Sequence, residues 1–233
     1  METYVVRVWM PDRPGALGQV ASRIGAVRGD VVGIDILERG AGRAIDELVV
    51  RLPDASLLGL LVAEIKAVDG VDVEDVRPAS DALRDPRLDA LETAAMLVGA
   101  ATGVELLAAL VDHAQRDFAA DWAAVVDLAE VGVRASVGVT PSPAWLDAFV
   151  EGSRSSARVA AGETGPDDVA WAPLPSARFS LVIGRSGRPL RARERRQVAA
   201  LARIADTRLV EVCASDARLG HPGRTGAATI PAP

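Results

Sequence analysis

The stretch Met10-Pro-Asp-Arg-Pro-Gly-Ala-Leu17 limits the fold more than any other segment of this chain. Before it, Tyr4 to Met10 alternates as a strand does, with Val6, Val8 and Met10 on one face and Arg7 and Trp9 on the other. After it, Leu17, Val20, Ala21, Ile24 and Val27 recur at three- and four-residue steps, the apolar stripe of an amphipathic helix. The stretch is therefore a strand-to-helix turn. Asp12 is the expected N-cap, Pro14 suits a first helical turn, and Gly15 leaves room for another group to approach the backbone. The N–H groups of Gly15, Ala16 and Leu17 are expected to have no partner inside the helix. Together with the helix dipole they favour a small anion such as a carboxylate, by roughly 0.3–1 kcal/mol from the dipole alone. Taken alone, the same turn also reads as a plain capped junction that binds nothing.

The elements that follow are short and clearly punctuated. Gly29-Asp30 ends the helix. Val32, Ile34 and Ile36 form one face of a second strand, and Arg39-Gly-Ala-Gly-Arg43 is a glycine-rich turn into a third strand, Ile45 to Leu52. Beyond Pro53-Asp54, Leu58, Leu61, Val62, Ile65 and Val68 form a second helical stripe, and Val71 to Val76 is a last strand. The order is β-α-β-β-α-β. Two helices with single stripes cover one face of a four-stranded antiparallel sheet. Asp35, Glu47 and Arg51 make the other face at least partly wet, and the open edges invite a second copy, so a homodimer through this sheet is expected.

Asp12-Arg13-Pro14-Gly15-Ala16-Leu17 after the first strand, in this element order, resembles the ACT domain, a regulatory module of amino-acid metabolism with a ferredoxin-like fold. The resemblance covers residues 1–77. It implies that Asp12, Arg13, Pro14, Gly15, Ala16 and Leu17 line an effector loop that holds an amino acid. It also implies that Asp30 and Val31, at the start of the second strand, contribute from a neighbouring unit, where the Asp30 carboxylate would suit the effector's ammonium.

Residues 78–86, with two prolines and mixed charge, read as a linker. Past it, Leu88 to Val98 and Val104 to Ala114 carry helical stripes. Trp122–Leu128 and Val131–Val137 form a hairpin, Pro143–Val150 is a short helix, and 151–168 is loop-like. Val169–Ala172 and Arg178–Gly184 are strands, and Arg191–Val212 is a long helix. Helices, paired strands, then a last strand feeding a long helix resemble a GAF domain over residues 87–212, an α/β domain with an antiparallel sheet flanked by helices. The whole chain is expected to be α+β. The chromophore cysteine, the cyclic-nucleotide constellation and the reductase cysteines of that family have no counterpart, so no chemistry carries over. Residues 213–233, rich in Gly, Ala, Pro and Thr, are expected to be a mobile tail.

Composition narrows function. A net charge of −6 argues against general nucleic-acid affinity, and the arginine run Arg185–Arg196 lacks interleaved aromatics, so it reads as a solvated helix start. The single cysteine, Cys213, and the distant His113 and His221 exclude a disulfide framework and give no metal-ligand spacing. His113 reads as structural, Asp167-Asp168 as a weak acidic pair, and Trp122, Trp145 and Trp171 as core before pocket. No apolar run approaches the ~20 residues of a membrane span, and no signal core follows the N-terminus, so a cytoplasmic location is expected. No catalytic residue, metal site or cofactor is expected. The expected function is non-catalytic: a sensor that binds an amino acid at the turn and signals through the GAF-like part to an unidentified protein partner, or a ligand-free dimerisation scaffold.

Overall fold

The computed structural model describes residues 1–79, 86–130, 132–156 and 168–219. The first unit runs β1 (Glu2–Pro11), α1 (Ala16–Ala26), β2 (Asp30–Gly40), β3 (Arg43–Leu52), a 3-10 turn at Ala55–Leu57, α2 (Leu58–Lys66) and β4 (Asp72–Pro78). The sheet is antiparallel throughout, in the order β2-β3-β1-β4, as the β-α-β-β-α-β pattern requires. Val6, Val8 and Met10 of β1 and Leu48, Val50 and Leu52 of β3 bury beneath Val20 and Ile24 of α1 and Leu61 and Ile65 of α2. β4 continues to Pro78, and the Ala79 N–H still bonds to the Thr3 carbonyl at 2.8 Å, so the sheet takes up the start of the expected linker. Residues 80–85 of that linker lie outside the described residues.

The second unit runs α3 (Pro86–Gly99), α4 (Gly103–Asp117), β5 (Trp122–Asp127), β6 (Gly132–Gly138), α5 (Pro143–Arg154), β7 (Val169–Leu174), β8 (Phe179–Gly184) and α6 (Ala192–Leu219). Its sheet, β6-β5-β8-β7, is also antiparallel. Successive residues point to opposite faces, and both faces are covered. Ala123, Val125, Leu181 and Ile183 pack on α4 and α6 through Leu106, Leu110, Val198 and Ala202. Ala124, Val126 and Val182 pack on Leu146 and Val150 of α5. The chain is thus α+β, with two four-stranded sheets and helices around them. Because aromatics are scarce, both cores are built from branched aliphatics and alanine.

Two helix ends depart from expectation. α5 extends four residues past Val150 to Arg154, and residues 157–167 of the expected loop lie outside the described residues. Val131 of the expected hairpin also lies outside them. α6 runs on through Cys213 to Leu219, so the first seven residues of the expected tail are helix. The physical reason is local: residues 213–219 contain no glycine or proline, and the helix breakers begin only at Gly220. The rest of the tail lies outside the described residues. His113 is a structural tie between α3 and α4, its Nδ1 2.9 Å from the Thr93 hydroxyl.

Trp122 and Gly184 face each other across β5 and β8. A Cβ at Gly184 would lie 2.3 Å from the Trp122 ring, so the bare glycine is what lets the indole lie against the strand. Gly184→Ala is expected to cost about 1–3 kcal/mol by overpacking and to shift the tryptophan emission. Chemical denaturation followed by fluorescence measures both.

Candidate functional site

The turn after β1 differs in detail from a conventional cap. Asp12 is not the N-cap; it precedes the helix, its N–H bonded to the Gly42 carbonyl at 2.9 Å and its carboxylate 3.9 Å from Arg39 Nε. Pro14 likewise lies before the helix rather than inside its first turn. Gly15 is the N-cap, at φ 88°, with no side-chain cap. That left-handed geometry is the reason for glycine here, and an added Cβ would meet nothing within 4 Å. Among the described residues no hydrogen bond reaches the N–H of Gly15 or Leu17, as expected, whereas the Ala16 N–H bonds to the Arg13 carbonyl at 3.3 Å. Ala16 is buried and Leu17 half-buried, while Asp12, Arg13, Pro14 and Gly15 face solvent. The open amides stand at an accessible helix N-terminus, where an anion is favoured.

Asp30 and Val31 do not join this loop within one chain. They begin β2 at the far end of α1, and eleven helical residues span about 16 Å. Asp30 is exposed, 3.4 Å from Arg51, and Val31 is half-buried opposite Val50. The loop of one chain is thus a single wall, and Asp30 and Val31 can face it only from a second copy.

Asp46 was not singled out from the sequence. It lies on the helix-covered face of β3, in register with Val8, and is 4% exposed. Its Oδ1 has no hydrogen-bond partner. Burial raises its carboxyl above the ordinary value of 3.8, Arg39 opposes the rise, and Asp12 adds to it. An acid standing at a valine position of an alternating strand was the available signal.

The opposite face of the first sheet is partly wet, as expected, at Asp35 and Arg51, whose side chains are 33% and 36% exposed, but it is not open around Arg7. The second unit covers it with the segment between β8 and the first turn of α6. Arg7 is fully buried there. It donates through Nε and Nη2 to Glu47 Oε1 at 3.1 and 2.8 Å, and through Nη1 to the Pro189 carbonyl at 2.8 Å. Glu194 Oε1 lies 3.5 Å from it. Glu194 also pairs with Arg185 at 2.7 Å and accepts the Arg191 N–H at 2.8 Å, capping α6 from its third position. Arg191 binds Glu74 and lies 5.0 Å above the Trp9 ring, whose N–H donates to the same Glu74 at 3.2 Å. Arg193 reaches Asp35 at 2.7 Å. The arginine run therefore begins the helix at a charged seam rather than in solvent. Burial alone would lower the Arg7 pKa, but Glu47, Glu194 and Glu74 raise it above its usual value. Burial would raise the Glu47 carboxyl, but Arg77 and Arg7 hold it below its usual value.

Residues 4–70 match the family model of the ACT domain. The chain carries an N-terminal ACT domain. No curated protein matches the sequence. Among solved structures, the ACT domain from the GTP pyrophosphokinase of Chlorobium tepidum is 18% identical, with 34% of this chain and 97% of that one covered and a TM-score of 0.28. An unknown protein from Galdieria sulphuraria is 15% identical, covering 88% and 92% of the two chains at a TM-score of 0.32. A bacteriophytochrome from R. palustris is 11% identical, covering 77% and 42% at 0.39. These likenesses are too distant to carry function. The family-model match ends at residue 70, and the likeness of the second unit to a GAF domain is one of pattern. Among the described residues no group of three His, Cys, Asp or Glu side chains could hold a metal, and no helix is long and apolar enough to cross a membrane.

The seam against the ACT sheet makes two predictions. Arg7→Met leaves Glu47, Glu74 and Glu194 facing one another without their shared cation, and is expected to destabilise the chain by about 3–5 kcal/mol in urea denaturation. Glu47 binds protons less readily in the folded chain than in the unfolded one. Its stabilisation is therefore present above the ordinary value of 4.5 and lost as pH falls through the lower folded value. Glu47→Gln is expected to flatten the pH dependence of stability in that acid window, measured by denaturation at a series of pH values.

Proposed function

We propose that this chain is a non-catalytic regulatory protein in which an amino acid binds the ACT loop and the second unit reads out its presence. The observation that supports it most is continuity from loop to seam. Asp12 is bonded to Gly42 in the β2–β3 turn, and Arg43 at the end of that turn lies 5.2 Å over the face of Trp9. Trp9 is bonded to Glu74, and Glu74 holds Arg191 at the start of α6. A shift of the loop alters the contacts that seat the second unit. The effector's carboxylate would take the open amides of Gly15 and Leu17, and its ammonium would take the acidic side, where Asp12 and Asp46 stand. Asp30 and Val31 of a second copy would close the site. Ile34 and Ile36 of the edge strand β2 are 47% and 38% exposed, an apolar edge suited to that copy, whereas the face of the sheet is already occupied by the chain itself.

Regulation of this kind requires the effector to bind two arrangements of the units unequally. Thermal denaturation with each common amino acid in large excess tests the reading. At a hundred times its dissociation constant the right one adds about 2.7 kcal/mol, a rise of about 5–10 °C for a chain of this size. Gly15→Asp, which places a carboxylate at the amides, is expected to abolish the rise. A chain that dimerises but shifts with no amino acid is instead a ligand-free scaffold, the reading that the exposed Ile34 and Ile36 favour.

A further inference from the structure

A cleft of about 240 Å³, lined by residues of the second unit, opens on the α5 side of the second sheet. Trp122, Trp145 and Phe149 form its walls with Pro141, and Asp168 stands on its rim. Trp145 and Phe149, one helical turn apart on α5, stack with ring centres 5.4 Å apart and planes within 2°. Trp145 is 44% exposed although it sits on the apolar side of its helix. Core packing does not require that, because Leu146 and Val150 already seal the sheet. Trp122 is held flat on the sheet by Gly184, so it presents a fixed aromatic surface.

The charges on the cleft select what those rings can take. Arg185 also lines it, but its guanidinium is occupied: it donates to the carbonyls of Phe118, Arg188 and Pro189 and to Glu194, at 2.7 to 2.9 Å. Four of its five N–H donors are taken, only one Nη1 hydrogen is left, and the Glu194 carboxylate offsets its charge. The Asp168 side chain is exposed and has no ion-pair partner among the described residues. Aromatic faces carry negative charge at their centres, and a carboxylate at the rim adds to it. A cleft with these walls attracts organic cations and discriminates against anions.

We propose that this cleft is a second binding site, for a small organic cation of the quaternary-ammonium or flat heteroaromatic kind, with Trp145 as the main contact and Asp168 as the charge partner. It does not depend on the amino-acid reading of the ACT loop. Because Arg185 bridges from the cleft to Glu194, and Glu194 to Arg7, a ligand here sits two ion pairs from the ACT sheet.

Choline and its neutral carbon isostere, 3,3-dimethylbutan-1-ol, are the probes, titrated calorimetrically into the full chain. Choline is expected to bind saturably, with a dissociation constant in the millimolar range or tighter, and the isostere about tenfold more weakly. Trp145→Leu, at an exposed position that leaves the fold intact by circular dichroism, is expected to weaken choline about tenfold. Trp145→Phe should retain most of the affinity, and Asp168→Asn should weaken choline severalfold while leaving the isostere unchanged. No saturable binding of choline, equal binding of the isostere, or indifference to Trp145→Leu each overturns the proposal.

Discussion

Arg7 is the side chain on which the arrangement of the two units depends. It stands mid-strand on the face of β1 opposite the hydrophobic core, and nothing in the first unit alone would bury it. The second unit does, with the Pro189 carbonyl and Glu194, while Glu47 on the neighbouring strand supplies its closest carboxylate. A buried guanidinium is costly unless its donors are satisfied, and burial of the pair is weak evidence of net stability. What it provides is specificity of fit. The Nη1 donor of Arg7 fits one placement of the 185–194 segment, and a slipped interface would leave that buried N–H without the Pro189 carbonyl.

Glu194 gives that fit its second consequence. One carboxylate caps α6, pairs with Arg185 inside the second unit and faces Arg7 across the seam. Helix start, domain core and domain interface therefore share a single group. A change in any of the three is felt by the other two, because the carboxylate has only two oxygens to divide among them. Trp9 plays a similar part on the ACT side, between Arg43 of the hairpin that adjoins the loop and Arg191 of the helix start.

Much of this was legible in the chain and some was not, for identifiable reasons. The β-α-β-β-α-β order follows from apolar periodicity and from glycine and proline at element ends, which act within a few residues. The loop was placed correctly but its cap was not. Asp12 has the chemistry of a cap, yet it is bonded to the β2–β3 turn, and Gly15 starts the helix through a left-handed backbone that no side-chain preference reveals. From the sequence, the polar face of the first sheet reads as at least partly wet and the arginine run as a solvated helix start. Each is sensible alone. Their complementarity, acids at 35, 47, 74 and 75 against arginines from 185 to 193, is a relation between segments more than a hundred residues apart. Trp145 reads from the sequence as core before pocket, and only the packed helix shows that Leu146 and Val150 fill the core while Trp145 stays 44% exposed.

By itself the sequence determined the elements, their order and the ferredoxin-like class of the first unit, because hydrogen-bonding periodicity and turn chemistry are local properties of a chain. It also placed open amides at Gly15 and Leu17, though not the bond that the Ala16 amide makes to the Arg13 carbonyl. The tertiary structure alone decided what covers the first sheet, that the Asp46 Oδ1 is buried without a hydrogen-bond partner, that Asp30 and Val31 lie a helix length from the loop, and that three aromatic rings share one cleft. These are outcomes of burial and of charge meeting charge across the fold, and such long-range pairings are set only when the units close on one another.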